Sequence, residues 1–289
     1  MPSHVVYDID YDREVDQGLL APEQFDYWFL CEGDSWMDRS SLTQMSLPWS
    51  LARSFRGQRG NRALFVNLSH FGDTLRHIGD CLNDVFHQWV TTPLPFRFDA
   101  LLLSAGGNDF IDAALDPPPG QGLLRDVHGA GPDLQPDDCF DPAALSLLVD
   151  QYLDPNFGKL YDTVRASPFC GAMPILLNLY ATPVARYAPV LPGGKTWLSA
   201  AYAKNGIPPA LWPAVTQRLF VDVEAVVTDW SEVAGRTGVF TVPTSSVPLV
   251  PADPGAAGSS GDWLNEIHPN KSGWARLATA WQASLDAVL

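Results

Sequence analysis

The chain contains 289 residues, of which 46% are hydrophobic and 18% are charged. This composition is typical of a globular protein and excludes a chain that is disordered throughout. The 33 acidic residues outnumber the 18 basic ones and give a formal net charge of −15. Such a charge argues against a nucleic-acid-binding protein and against docking on anionic lipid, because both need clustered Lys and Arg.

Short apolar runs alternate along the chain with longer segments of helical pattern. The predicted strands cover residues 27–32, 63–69, 99–104, 173–179 and 238–242. Each run is apolar nearly throughout, which is typical of a parallel strand covered on both faces. The predicted helices cover residues 40–56, 73–90, 141–165, 212–235 and 271–288. The alternation predicts an α/β protein, a three-layer α/β/α sandwich with about five parallel strands.

The regions outside these elements suggest how the chain is organised. Residues 1–26 are acidic and weakly apolar, and we expect them to form an N-terminal arm. Residues 27–289 are expected to form a single domain. Three stretches rich in Gly and Pro, at about 112–141, 185–213 and 243–261, are predicted to be long loops.

Targeting and metal-binding signals are not found in the sequence. The N-terminus has neither a basic n-region nor an apolar h-region, and no apolar run approaches a membrane span, so we expect a cytoplasmic protein. Four cysteines, Cys31, Cys81, Cys139 and Cys170, lack metal-ligand spacing and are expected to be reduced. We expect no cofactor and no metal ion, and the oligomeric state stays open.

Polar clusters follow four of the predicted strands. They contain Ser35 after the first strand, Gly72 after the second, Asn108 after the third, and His268 after the last strand and its loop. Because ligands bind at the carboxyl ends of parallel strands, we expect these residues to share one rim of the sheet. Acyl transfer needs a hydroxyl nucleophile, a base and hydrogen-bond donors for an oxyanion, and these residue types can supply all three.

This constellation resembles the SGNH hydrolase family, also called the GDSL-like esterase/lipase superfamily. The matching blocks, in chain order, are Gly33-Asp34-Ser35, Gly72, Gly106-Gly107-Asn108-Asp109 and His268-Pro269. The resemblance spans about residues 27–289 and implies a flavodoxin-like fold and ester hydrolysis.

The same resemblance implies a role for each matched position. Ser35 is the implied nucleophile and His268 the implied base. The backbone of Gly72 and the side chain of Asn108 are the implied oxyanion donors. Trp36 and Trp263 adjoin these motifs and are candidates for lining the substrate pocket.

The sequence departs from the family pattern at the acid. The family places an acidic residue three positions before the histidine, where this chain has Asn265. Asn265 could orient His268 through its amide, or Asp262 could reach back and serve as the acid. In a third arrangement, Ser35 and His268 form a dyad assisted by a backbone carbonyl. Glu266 is expected to point elsewhere.

The nature of the substrate stays open at this stage. A serine-dependent carboxylesterase or acylhydrolase acting on a small-molecule, lipid or sugar ester is the expected activity. Carbohydrate O-acetylesterase and lysophospholipase or thioesterase activities are alternatives within that class. A catalytically degenerate module that only binds its ligand is the alternative outside it, and the amide at Asn265 favours it.

Overall fold

A parallel β-sheet forms the centre of the protein, for which we describe a computed structural model. It describes residues 2–38, 46–75, 78, 85–116, 118–191 and 193–289. Within these residues the sheet has six strands in the order β1-β3-β2-β4-β5-β6, all parallel. They are β1 (His4–Tyr7), β2 (Tyr27–Gly33), β3 (Ala63–Asn67), β4 (Ala100–Ser104), β5 (Ile175–Asn178) and β6 (Val239–Val242).

The predicted α/β sandwich is confirmed, with one strand more than expected. All five predicted strands form, and every residue of β3 and β4 is buried, as their continuous apolar runs indicate. These five strands alone follow the order 2-1-3-4-5 when numbered among themselves, which is the flavodoxin-like topology. Parallel strands in this order place their carboxyl ends, and the polar residues after them, on a single rim.

The sixth strand, β1, comes from the segment expected to be an arm. His4 to Tyr7 pair with Leu64 to Asn67 at the edge of the sheet, so residues 1–26 are not simply an arm outside the fold. Only β3 pairs with this strand, and an acidic helix follows it directly. A four-residue run of this kind carries too little periodic signal to be recognised as a strand.

Helices flank the sheet and differ from the expected ones mainly in their number. The helices are α1 (Asp8–Asp16), α2 (Leu47–Ser54), α3 (Val85–Thr91), α4 (Gly107–Leu115), α5 (Pro142–Leu148), α6 (Asp154–Ala166), α7 (Leu198–Lys204), α8 (Trp212–Glu232) and α9 (Lys271–Val288). Helices α1, α4 and α7 were not predicted. Predicted helix 141–165 is divided into α5 and α6 by a π-helical turn, Val149–Leu153. Parts of the predicted helices 40–56 and 73–90 lie outside the described residues, as does Cys81.

The predicted loops are partly structured. Helix α4 extends into the stretch at 112–141, which also contains a 3-10 turn, Pro136–Cys139. The stretch at 185–213 contains α7, and the stretch at 243–261 contains a 3-10 turn, Thr244–Ser246. Helix α4 packs against α7 and α8, while α9 packs against α2. Cys31, Cys139 and Cys170 are free and buried. Among the residues described, no helix is both long and apolar enough to cross a membrane.

Candidate active site

A sharp turn at the end of β2 presents Ser35. The turn begins at Gly33, whose φ is +138°, a conformation that side chains rarely adopt. A Cβ atom at Gly33 would lie 2.1 Å from the Ser104 carbonyl oxygen of the neighbouring strand β4. Glycine is therefore required by the close approach of the two backbones. The N–H of Asp34 donates to the same oxygen over 2.9 Å and fixes the turn.

The side chain of Asp34 stabilises this turn through hydrogen bonds. Its carboxylate accepts hydrogen bonds from the Trp36 N–H over 2.9 Å and the Ser104 hydroxyl over 3.0 Å, and from the Tyr180 hydroxyl. Asp34 is 2% exposed. Burial raises the pKa of Asp34 to about 6, although the hydrogen bond from Tyr180 opposes that shift. Asp34 thus holds the turn that carries Ser35, and none of these bonds is made to His268.

Ser35 and His268 come together although 233 positions separate them in the chain. The Ser35 Oγ lies 2.7 Å from Nε2 of His268, and both side chains are buried. On the other side of the ring, Nδ1 lies 3.0 Å from Oδ1 of Asn265. An amide oxygen only accepts hydrogen bonds, so this contact assigns the proton to Nδ1. Nε2 is then free to accept the proton of the Ser35 hydroxyl.

The amide of Asn265 is fixed in one orientation. Its Oδ1 also accepts the backbone N–H groups of Ile267 over 3.1 Å and His268 over 2.9 Å. Among the described atoms, its Nδ2 is buried without a hydrogen-bond partner. Asn265 therefore orients the imidazole but brings no negative charge to it. Burial lowers the pKa of His268 to about 3.

Asp262 does not take part in this contact. Its carboxylate accepts the Val250 N–H over 2.7 Å and pairs with Arg276 over 3.0 Å. The position beside Nδ1 of His268 is occupied by Asn265 instead. The structure therefore contradicts the arrangement in which Asp262 reaches back to the histidine, and the partner of Nδ1 is a side chain, not a backbone carbonyl. The physical reason is that the Asp262 carboxylate is engaged by Val250 of the preceding loop and by Arg276 of α9.

The two expected oxyanion donors lie at the same rim. Asn108 is in the first turn of α4 and lines a small cavity together with Ser35. Its side-chain amide donates to the carbonyl oxygen of Asp73 over 3.0 Å, which ties it to the loop that contains Gly72. Gly72 has a φ of +84°, a left-handed conformation that favours glycine. Phe71, its neighbour, has its ring 6.0 Å from that of His268.

Of the two tryptophan candidates, Trp36 lines the same small cavity as Ser35. Trp36 lines the small cavity and packs edge-on against Tyr180 and Trp274, with ring centroids 5.1 and 5.3 Å away. Trp263 is 1% exposed and belongs to the hydrophobic core. Its backbone pairs with that of Ser260 in a turn. Trp263 therefore packs in the core, and a substrate-lining position for it stays a prediction.

Glu266 has a structural role that spacing alone could not reveal. Its buried carboxylate accepts the backbone N–H groups of Trp197 over 2.6 Å, Ser199 over 2.7 Å and Arg186 over 3.0 Å. None of these hydrogen bonds is made to His268. Glu266 instead anchors the segment that leads into α7, and this places the Trp197 ring 5.4 Å from the imidazole. Burial raises the pKa of Glu266, and the backbone donors oppose that shift.

Arg186 also holds the loop that contains Asn265 and His268. This guanidinium is 1% exposed and donates to the carbonyl oxygens of Ala256 and Gly258, each over 2.6 Å, and of Asn265 over 2.7 Å. Arg186 and Glu266 therefore hold the histidine loop between two long loops. A buried Arg in a loop has no periodic sequence signal, so the sequence could not identify it.

Two spaces of very different size lie near Ser35 and His268. The small cavity has a volume of about 10 Å³ and is lined by Ser35, Asn108, Ile111 and Phe220, among others. A groove of about 870 Å³ has walls that include Phe71, Leu191 and Trp197. Phe71 and Trp197 are also the two aromatic residues whose rings flank His268. Among the described residues, no group of His, Cys, Asp and Glu could hold a metal ion.

Comparison with solved structures agrees with this architecture. The protein is similar to an extracellular lipase from Streptomyces rimosus, with a TM-score of 0.51 and 14% identity over 91% of this chain and 100% of that one. A possible lipase from Chitinophaga pinensis has a TM-score of 0.50 and 12% identity, over 89% of this chain and 96% of that one. A GDSL-like lipase from Bacteroides thetaiotaomicron has a TM-score of 0.45 and 12% identity, over 97% of this chain and 98% of that one.

The chain has the SGNH-hydrolase fold. The resemblance inferred from its motifs is thus confirmed for the fold. No protein-family profile matches the sequence, and no curated protein sequence matches it either. At identities this low the structural likeness shows the fold alone, so the function has to be argued from the site.

Proposed function

We propose that this protein is a serine-dependent ester hydrolase, a carboxylesterase or acylhydrolase that works through an acyl-enzyme. The observation that carries the proposal is the 2.7 Å contact between the Ser35 Oγ and Nε2 of His268, with Nδ1 held by Asn265. A hydroxyl, a correctly oriented neutral imidazole and adjacent donors are what acyl transfer requires.

The reaction follows from these positions. Nε2 of His268 takes the proton as the Ser35 Oγ attacks the ester carbonyl. The Ser35 N–H, the Gly72 N–H and the Asn108 amide stabilise the oxyanion that forms. His268 then passes the proton to the leaving oxygen, the C–O bond breaks, and the alcohol departs. Water, activated by the same imidazole, attacks the acyl-serine and releases the acid.

The amide of Asn265 makes this site less powerful than one with a carboxylate. It orients the ring, but it cannot stabilise the imidazolium that forms in each step. We therefore expect a working but slow hydrolase, most active on esters with good leaving groups. The small-molecule nature of the substrate and the cytoplasmic location stay predictions.

A catalytically degenerate binding module is the second candidate. It is favoured by the lowered pKa of His268 and by the absence of a carboxylate in the described surroundings of its Nδ1. Against it, Ser35, Asn108 and Gly72 all retain competent groups at the rim.

Covalent labelling distinguishes the two candidates. A fluorophosphonate probe is expected to modify Ser35, and the Ser35→Ala variant is expected to stay unmodified. The same pair of proteins is assayed with p-nitrophenyl acetate, and turnover is expected only in the wild type. A wild type that is neither labelled nor active would overturn the hydrolase proposal in favour of a binding module.

A further inference from the structure

Two spaces near Ser35 and His268 differ in what they can hold. The small cavity is lined by Ser35, and the groove by Phe71 and Trp197, whose rings lie 6.0 and 5.4 Å from that of His268. The small cavity, at about 10 Å³, is comparable to the smallest space that accommodates one water molecule. The groove, at about 870 Å³, falls in the range of cavities that hold a whole small-molecule ligand. A substrate held at Ser35 therefore meets little room in the small cavity and much more in the groove near His268.

The chemistry decides which part of the ester enters which space. The carbonyl oxygen must face the Ser35 N–H and Asn108, while the leaving oxygen must come within reach of Nε2 of His268 to receive the proton. The alcohol part then extends past the imidazole. Phe71 and Trp197 flank that imidazole and form walls of the groove. The acyl part is left with the small cavity beside Ser35 and Asn108.

The lining of each space indicates what it accepts. The small cavity is lined by the buried side chains of Ile111, Phe220 and Ile267, and it has no room for a long acyl chain. The groove presents exposed apolar side chains, Phe71 at 54% and Leu191 at 59% exposed. Exposed apolar side chains gathered around a concave surface indicate a binding site for an apolar ligand.

The charges in the groove balance. Its described lining contains one acidic and one basic side chain, Asp112 and Lys195. A groove of this kind offers no net charge to attract an ionic alcohol, and its apolar walls favour a neutral one.

We propose that the protein hydrolyses acetyl esters of bulky, neutral and largely apolar alcohols, with the acetyl group in the small cavity and the alcohol in the groove. This inference rests on the proposed hydrolase function. Ser35 displaces the alcohol from the acetyl carbonyl, the proton of Ser35 leaves with that alcohol through His268, and water converts acetyl-serine to acetate.

Two series of esters test the assignment. In the first, the acyl group of p-nitrophenyl esters grows from acetate to butyrate and octanoate, and kcat/KM is expected to fall about 10-fold or more between acetate and butyrate. In the second, the alcohol of acetate esters grows from ethyl to butyl and hexyl, and kcat/KM is expected to rise about fourfold for each buried methylene. A rise with acyl length, or no response to the alcohol, would overturn the inference.

Variants locate the two subsites. Ile111→Val and Ile111→Ala enlarge the small cavity and are expected to raise the butyrate-to-acetate ratio. Ala200→Phe, on α7, fills the groove and is expected to lower the hexyl-to-ethyl ratio. Val221→Ala is the matched control, because Val221 is 48% exposed on α8 and lines neither space. Both ratios should be unchanged in that variant, and a change in either one there would contradict the assignment.

Failure of this inference can be separated from failure of the hydrolase proposal. If Ser35-dependent turnover persists but the ratios do not move as stated, only the assignment of the subsites is wrong. If no ester is turned over, binding still tests the groove. Calorimetric titration of Ser35→Ala with hexyl acetate should then show binding that Ala200→Phe weakens at least about 10-fold, and equal binding by both proteins would reject the groove.

Discussion

Oδ1 of Asn265 lies 3.0 Å from Nδ1 of His268 and is held there by two backbone N–H groups. A neutral amide thus occupies the place from which a carboxylate would stabilise an imidazolium. Burial lowers the pKa of His268 to about 3. The imidazole is therefore well oriented as a base but receives little electrostatic support once it is protonated.

Asn265→Asp is expected to increase the rate. The new carboxylate raises the pKa of His268, and each unit of that rise is equivalent to about 1.4 kcal/mol of imidazolium stabilisation, or roughly a 10-fold effect. We expect kcat to rise about 10-fold and the acidic limb of the kcat/KM profile to move to higher pH. A pH series with p-nitrophenyl acetate measures both.

Asp262→Asn is the matched control for that experiment. This variant replaces a carboxylate with an amide in the same loop, which is the reverse of the Asn265→Asp change. The side chain of Asp262 binds Val250 and Arg276, not His268. The kcat of this variant should stay within about twofold of the wild type, since the change removes no group at the imidazole. A large loss of rate in this control, or a slower Asn265→Asp enzyme, would contradict the assignment of Asn265.

Asn108→Ala is expected to lower kcat about 10²–10³-fold with a small change in KM, because an oxyanion donor acts mainly in the transition state. Steady-state kinetics on p-nitrophenyl acetate gives the two constants separately. Asn61→Ala, on the exposed surface, provides a control. Full activity of Asn108→Ala would show that its amide does not donate to the oxyanion.

We expect the buried carboxyl group of Glu32 to make the stability depend on pH. This residue is 5% exposed at the end of β2, and its carboxylate accepts the N–H of Gly33 over 2.8 Å. Burial raises the pKa of Glu32 to about 8, and the negative charges of Asp73 and Asp8 add to the rise. A raised carboxyl pKa stabilises the fold fully below the unfolded value of 4.5, and that stability is lost as the pH rises to about 8.

Glu32→Gln is therefore expected to become more stable than the wild type as the pH rises. The difference in unfolding free energy should grow by up to about 1.4 kcal/mol for each pH unit between 4.5 and 8. Urea titrations at several pH values measure it. Parallel curves for the two proteins across this range would show that Glu32 is ionised in the fold.

Gly33→Ala should destabilise the protein strongly. The added Cβ would overlap the Ser104 carbonyl oxygen at 2.1 Å, and the φ of +138° is strained for alanine. We expect a loss of at least about 3 kcal/mol, the range of severe backbone and packing defects. Gly131→Ala is the control, since nothing lies within 4 Å of its Cβ position. Equal urea midpoints for the two variants would be inconsistent with the tight turn.

Glu266→Gln should loosen the loop that carries Trp197. The amide nitrogen of Gln cannot accept the N–H groups that one carboxylate oxygen now receives from Trp197 and Leu198. Each buried donor left unpaired costs about 1–3 kcal/mol. Urea unfolding should show this loss. Glu224→Gln is the control and should show little change, because the Glu224 carboxylate accepts one hydrogen bond, from the Ser245 hydroxyl. A Glu266→Gln variant as stable as the wild type would mean that the loop is held by other contacts.

The sequence by itself determined the sheet and the residues that meet at its rim. Strands such as β3 and β4 are apolar throughout because both of their faces are covered, so their local composition alone reports their environment. The carboxyl ends of parallel strands meet at one edge, which is why Ser35 and His268 could be paired from their positions after strands. The edge strand β1 was missed because its four residues carry no such local signal.

Only the tertiary structure decided which residue contacts the histidine and what space surrounds it. Asn265 and Asp262 are both close to His268 in sequence, and the path of the loop, held by Arg186 and Glu266, brings only Asn265 to Nδ1. The small cavity beside Ser35 and the groove near His268 have walls from segments far apart in the chain. Their volumes depend on how side chains pack, and packing is a property of the assembled fold that no local pattern encodes.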